Sequence, residues 1–337
     1  MKKVGKGYYS LFVGVMFLIV VLLMASCSDS NNTEETEVEA DEDFPEKTIN
    51  IYSPYSPGGY ADIITRAVAE GLEDELGVNV NVSDESGGGG IVAMTDIVNQ
   101  EPDGYTLSAA TDISHMHFED VDYEVDDFTY IATTAYAHHP VMVREDSDWD
   151  DMDDLLEYAK DNPGSLKWGS GGIVNPVVLA GRELFAEQDI EAEQVPYDGG
   201  SEVLSALLSG DIDVGIIADF KSALDAGDIK LLAESSQEED PNYPEVKTLS
   251  EEGYIDEGPP TVYGLVGPKD IPDNVVELIN EKVNEILESE DFEKQMDDIG
   301  VEAYPKSPEE YQEIIFEEDK RLAEVVPKYS EEGDDEE

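Results

Sequence analysis

The chain reads as an α/β protein built in two lobes, and three observations predict it. Strand-like and helix-like segments alternate from residue 48 almost to the C-terminus, the order that builds sheets flanked by helices. Glycine- and proline-rich turns recur where a strand hands over to a helix, at 53–59, 87–90, 170–175 and 197–200. Beyond residue 26 there remain 311 of the 337 residues, more than one hydrophobic core comfortably fills.

The elements follow in order. Residues 48–52 alternate apolar and polar side chains as a half-buried strand does, and end in the turn 53–59. Ile64, Ala67, Val68, Gly71, Leu72 and Leu76 then recur at helical spacing and give one apolar face. A strand at 78–82, a glycine loop at 87–90, a helix at 91–99 and a strand at 105–110 continue the alternation. Segments 129–134 and 141–144 are strand-like, and the helix 152–160 is closed by Asn162-Pro163-Gly164. Strand 166–169, helix 177–187, strand 194–197 and helix 202–208 follow. Strands at 212–217, 229–233 and 261–266 precede helices starting at Pro272, Asp291 and Pro308, the last reaching about Val326. The alternation predicts largely parallel sheets, and pattern alone puts a cut near Val143.

The N-terminus predicts export. Residues 1–26 contain Lys2, Lys3 and Lys6, no acidic residue, and an apolar run from 11 to 25. Fifteen residues fall short of the roughly 20 that span a bilayer, and a basic start with a short apolar core is the pattern of a secretory signal. The run ends in Met24-Ala25-Ser26-Cys27, close to a lipoprotein processing box, with Met where Leu is commoner. Cys27 is the only cysteine. It is therefore the expected lipidation site and membrane anchor, and a disulfide framework within the chain is excluded. Residues 27–43 read as an acidic, disordered linker and 330–337 as an acidic tail.

Charge is extreme: 81 Asp and Glu against 19 Lys and Arg. Three of those basic residues and none of the acids lie in the first 26, so the remainder carries a formal charge of −65. Nucleic acid is excluded as a partner by repulsion. With 40% hydrophobic residues and regular patterns, the composition predicts a folded protein with the acid-covered surface of a salt-adapted organism, where mobile ions screen self-repulsion.

No chemistry-bearing motif stands out. There is no Gly-x-Ser-x-Gly elbow and no Gly-Lys-Ser/Thr phosphate loop, and paired carboxylates carry no weight among so many acids. Backbone amides at helix starts are the alternative resource. In Tyr55-Ser56-Pro57-Gly58-Gly59 a serine can cap, a proline suits the first helical position, and glycines admit a ligand close to the backbone. Helix N-termini bind anions through free N–H groups and the dipole. Asp62, in the first turn of that helix, serves either the dipole or a ligand. Thr111, Asp112 and Ser114 follow the third strand. Ser170, Gly171, Gly172 and Asn175, then Tyr197, Asp198 and Gly199, form two further strand-to-helix turns, and ligands in open α/β sheets sit beyond such strand ends. Each turn also reads as plain turn chemistry, most of all 87–90.

Several blocks carry a resemblance. They are 44–107 with its Pro-Gly-Gly, poly-Gly and Pro-Asp-Gly-Tyr-Thr turns; 158–166 (YAKDNPGSL); 195–200 (VPYDGG) with 207–213 (LLSGDID); and 263–268 (YGLVGP) before Ile271-Pro272. In this order, over about 44–329, the chain resembles the tripartite tricarboxylate transporter substrate-receptor family. The resemblance implies an extracytoplasmic solute-binding protein and not an enzyme. It implies a two-lobed, type II periplasmic-binding-protein-like clamp with the ligand cleft between the lobes. The chain would cross twice, giving a first lobe of 44–143 and 241–329 and a second of 144–240, with the return in the polar stretch 236–259. Implied partners are a small organic anion (tricarboxylate, dicarboxylate or similar) and the membrane subunits of the transporter, with no cofactor. Two positions depart from the family: Val177 and Val178 stand where a His is frequent, and Asp198 replaces the Lys of Pro-Tyr-Lys-Gly. The rival reading is a metal or other solute receptor using His115 and His117, which could share a strand face. Against it stands the plainer reading of all four histidines, His115, His117, His138 and His139, as loop residues at a lobe edge.

Overall fold

The structure, a computed structural model, describes residues 44–329 apart from 56, 112, 173, 174 and 198. The expected leader, Cys27, the linker 27–43 and the tail 330–337 lie outside the described residues, as do Ser56, Asp112 and Asp198.

In chain order the elements are β1 (Ile49–Ser53), α1 (Tyr60–Leu76), β2 (Val80–Asp84), α2 (Ile91–Ile97), β3 (Thr106–Ala110), β4 (Phe128–Tyr136) and β5 (Pro140–Arg144). Next come α3 (Met152–Asp161), β6 (Leu166–Gly171), α4 (Pro176–Glu187), β7 (Ala192–Tyr197), α5 (Gly200–Ser209), β8 (Val214–Ile216), α6 (Lys221–Ala226) and β9 (Ile229–Glu234). The last are β10 (Val262–Pro268), α7 (Asp273–Leu287), α8 (Glu290–Ile299), β11 (Glu302–Ala303) and α9 (Pro308–Tyr329). They form two sheets, a six-stranded one ordered β11-β4-β10-β3-β1-β2 and a five-stranded one ordered β7-β6-β8-β5-β9. This is the expected α/β fold with one sheet in each of two lobes.

The sheets are mixed where largely parallel ones were expected. β1, β2 and β3 run parallel, as do β6, β7 and β8, but β10 is antiparallel to β3 and β4, and β5 to β8 and β9. β5 and β10 are the two strands that arrive directly from the other sheet. No crossover helix carries the chain back to the starting end, so each enters against its neighbours.

The lobe boundaries also move. β5, expected at the end of the first lobe, belongs to the second sheet. Residues beyond 240 stay with the second lobe too: Leu249 and Ile255 pack in its core, and Tyr243 lies 5.8 Å from Phe220. The passages between sheets are therefore 137–139 and the stretch ending at 259–261. They run side by side, with Ala137 N–H bonded to Thr261 O (3.0 Å), Ser235 N–H to His139 O (3.3 Å) and Gln237 N–H to Pro259 O (3.0 Å).

Each lobe has its own core. In the first, Ile49 and Ile51 of β1 meet Ile64, Val68 and Leu72 of α1 and Ile279 and Val283 of α7. α1 and α7 approach so closely at Gly71 that a Cβ there would stand 2.7 Å from Ile286. In the second, Trp168 of β6 lies under α4, where a Cβ on Gly181 would stand 2.6 Å from the indole. Substituting either glycine overpacks a helix contact. Helix α9 serves both lobes. Its start packs Tyr311 edge-on against Tyr130 of the first (5.2 Å, 86°), and its end sets Leu322 and Val325 against Leu179 of α4. No helix among the described residues is long and apolar enough to cross a membrane.

Candidate ligand site

The turn after β1 is held from below. Asp62, buried at 4% exposure, accepts from the Gly58 N–H (2.9 Å) and pairs with Arg66 (2.8 Å), and the Ser53 hydroxyl reaches it at 3.4 Å. Its carboxylate oxygens are thus engaged inside the lobe, where Asp62 shapes the turn. One expected ligand amide, that of Gly58, is engaged with it. The start of α1 itself carries no side-chain cap: Gly59 is its N-cap in extended backbone (φ −78°, ψ 169°), and Pro57, Gly58 and Gly59 are exposed. The N–H groups that open α1 therefore have no side chain on them.

Tyr55 on this turn hydrogen-bonds through its hydroxyl to the Thr111 hydroxyl beyond β3. That bond brings two of the expected turns together. Ser114 is buried and opens a short 3-10 turn that ends in His117.

In the second lobe the turns beyond β6 and β7 adjoin. Gly172 N–H donates to Tyr197 O (2.7 Å), and the Cβ position of Gly171 is 3.6 Å from Gly199 Cα. Gly171 and Gly199 are half-buried at this seam, and Ser170 is buried. Asn175 is occupied as a helix cap. Its Oδ1 accepts from Val178 N–H (2.9 Å) and its Nδ2 donates to Gly171 O (2.7 Å), which ties the start of α4 to the turn beyond β6. The start of α5, with Gly199 as N-cap, has no side-chain cap.

Sequence reasoning missed three residues that join these turns. Asp219, beyond β8, sets its Oδ2 2.2 Å from the position a Cβ on Gly200 would take, so it lies against the first residue of α5. On the first lobe, the Tyr60 hydroxyl lies beside that carboxylate, and burial, Asp219 and Tyr263 push its pKa well up. Tyr263 of β10 is pushed up as well, by burial, Tyr55 and Asp219. Tyr55, Tyr60, Tyr263 and Asp219 are all half-buried. The signal for Asp219 was its place just past a buried strand, where the other candidates also sit. Tyr263 lay inside a block already singled out.

The metal alternative finds little. His117 Nε2 is 2.8 Å from Asp319 of α9, and the His115 side chain lies outside what is described. Among the described residues no group of three His, Cys, Asp or Glu side chains is placed to hold a metal. His138 is a loop residue as expected, between β4 and β5, but a buried one (2% exposed) in the passage between sheets, because 137–139 is covered by the returning chain. A surface depression of about 400 Å³ lined by Lys47, Asn50, Asp103 and Thr106 lies where β1 and β3 begin, the end of the sheet away from the turns above.

Residues 64–330 match the family model described as "Tripartite tricarboxylate transporter family receptor". The chain belongs to this receptor family. It is a periplasmic-type solute-binding receptor, not an enzyme, and the family works outside the cytoplasm. The receptor is 27% identical over 314 residues to a UPF0065 protein from the tcbD-tcbE intergenic region of Pseudomonas sp. (strain P51), covering 91% of this chain and 94% of that one. Its fold matches a TctC solute-binding protein from Polaromonas, solved without ligand (TM-score 0.75, 23% identity, 85% of this chain and 99% of that one). It also matches two R. palustris proteins. One was solved with adipate (TM-score 0.73, 24%, 86% and 99%) and one with bound malate (TM-score 0.70, 24%, 84% and 100%).

Proposed function

We propose that the protein is the extracytoplasmic receptor of a tripartite tricarboxylate-type transporter. It captures a small organic carboxylate between its lobes and delivers it unchanged to the membrane subunits. The observation that carries this reading is the uncapped start of α1 at Gly59, whose Tyr60 meets Asp219 of the second lobe beside the start of α5. One carboxylate of the ligand takes the N–H groups of Gly59, Tyr60 and Ala61, where the helix dipole favours negative charge. The turns Ser170–Gly172 and Tyr197–Gly199, with Asp198 among them, grip the remainder, and Thr111, Asp112 and Ser114 line the first-lobe side. The passages 137–139 and 259–261 act as the hinge on which the lobes close. Adipate and malate in two proteins of the same fold support a carboxylate as ligand. Lipidation of Cys27 after removal of residues 1–26 holds the receptor at the membrane, and 27–43 is its leash.

A thermal-shift screen of mono-, di- and tricarboxylates in ~1 M salt, followed by calorimetry on the hits, tests the reading. A carboxylate that raises the melting temperature and loses at least tenfold in affinity with Gly59→Val supports it. Absence of any carboxylate shift overturns it.

A further inference from the structure

Asp219 places a carboxylate where a receptor for plain di- or tricarboxylates would be expected to keep none. It stands beyond the C-terminal end of β8, beside the turns that end β6 and β7. It reaches the first lobe at Tyr60, the residue that follows the Gly58-Gly59 turn, and it also faces Tyr263. No ion pair among the described residues involves Asp219; Lys221, two residues on, is turned to Asp225 at 3.6 Å. Among the described residues its neighbours here carry no positive charge: the Tyr60 hydroxyl donates to it, Tyr263 faces it, and Gly200 lies against it. A second ligand carboxylate brought to this point meets like charge in a half-buried place, where screening by salt is weak. A ligand ammonium or hydroxyl meets an acceptor with lone pairs to spare.

Gly200 makes the arrangement specific. Any side chain there would collide with Asp219 Oδ2, so the backbone leaves the carboxylate a seat at the start of α5. The negative charge that favours this helix start is supplied by the protein. The first lobe keeps its own helix start open, at Gly59. One lobe thus offers an anion site and the other a fixed acceptor.

We propose, resting on the carboxylate-receptor reading above, that Asp219 is a specificity residue that selects carboxylates bearing a hydrogen-bond donor, an ammonium group above all, at the end turned to the second lobe. The ligand class is then amino acids, and hydroxy acids more weakly, ahead of unsubstituted di- and tricarboxylates.

Calorimetry on the full mature receptor with matched series tests this: succinate, malate and aspartate on one skeleton, glutarate, 2-hydroxyglutarate and glutamate on another, and propionate, lactate and alanine on a third. In one series at least, the wild type should prefer the ammonium-bearing member over the unsubstituted one by about tenfold or more, as expected of a charge-assisted contact. Asp219→Asn should cut that preference to about threefold or less, chiefly by weakening the ammonium-bearing member. Asp219→Ser checks that the effect follows the charge and not the fold of the loop. A wild type that prefers the unsubstituted acids, or a preference untouched in both variants, overturns the role of Asp219 and leaves the carboxylate receptor standing. If no member of any series, nor citrate, binds the wild type, the receptor reading itself falls, and this inference with it.

Discussion

The Tyr60 hydroxyl of the first lobe lies beside the Asp219 carboxylate of the second, and Asp219 in turn lies against Gly200 at the start of α5. Burial, then Asp219 and Tyr263, hold the Tyr60 phenol well above its ordinary pKa. It stays protonated at every pH the protein meets and serves as a donor. Tyr60→Phe keeps the ring and removes the donor. It should cost about 1 kcal/mol of ligand affinity, roughly fivefold, with little change in melting temperature. Calorimetry that finds affinity unchanged would take Tyr60 off the site.

Asp62 ties the first turn together and should do so only while ionised. Burial alone would raise its carboxyl, but Arg66, the Gly58 N–H and the Ser53 hydroxyl outweigh it and hold the pKa below the ordinary value. A folded pKa below the unfolded one contributes stability that is present above the unfolded value, near 4, and is lost as pH falls through the folded one. Asp62→Asn should therefore lower stability by about 1–3 kcal/mol at neutral pH. Its deficit against wild type should shrink as pH drops below about 4. Denaturant titrations showing a deficit independent of pH would contradict this.

His138 makes the passage between sheets respond in the opposite sense. Its Nε2 is 3.4 Å from Glu302 of β11, its Nδ1 3.9 Å from Glu234 of β9, and its ring 4.9 Å from Tyr136 of β4, with Asp240 also acting on it. Burial lowers its pKa, but Glu302, Glu234 and Asp240 outweigh that and raise it. The adjacent His139 is pushed down to about 4, chiefly by burial, and stays neutral. A raised folded pKa contributes stability that is full below about 6.5 and lost as pH rises through the folded value. The loss of stability in His138→Gln should accordingly be larger near pH ~5 than near pH ~9. A loss that grows with pH would sink the assignment.

A formal charge of −62 over the whole chain predicts a salt-dependent fold. Between ~0.1 M and ~1 M salt the screening length falls from about 10 Å to about 3 Å, and self-repulsion among surface acids falls with it. Melting temperature should climb across that range. A melting temperature indifferent to salt would count against an acid surface adapted to salt.

How much of this was legible in the sequence depended on what each feature encodes. The apolar face of α1 was written out at helical spacing as Ile64, Val68 and Leu72, and these residues do form the contact with β1 and α7. Strand direction was not legible, because an alternating pattern reads the same both ways, and β5 and β10 run against their neighbours. β2 begins at Val80, not at residue 78, although the alternation 78–82 does place Val78, Val80 and Val82 on the face that packs against the first core. α6 was missed as six residues of a short helix between two strong strands. At the site, glycine turns marked the places where backbone comes close. The meeting of Tyr60 and Asp219 across the lobes is not written in the sequence; only the place of Asp219 just past a buried strand hints at it. Asp62, open in the sequence between dipole and ligand, holds the turn at Gly58, and Asn175 caps α4, since capping and binding use the same residue types.

Amide resonances under titration test the central claim most directly. With the best carboxylate from the screen added to the isotopically labelled receptor, the N–H groups of Gly59, Tyr60, Ala61 and Gly200 should show the largest and saturable shifts. Saturable shifts confined to other parts of the chain, with those four unmoved, would contradict the account.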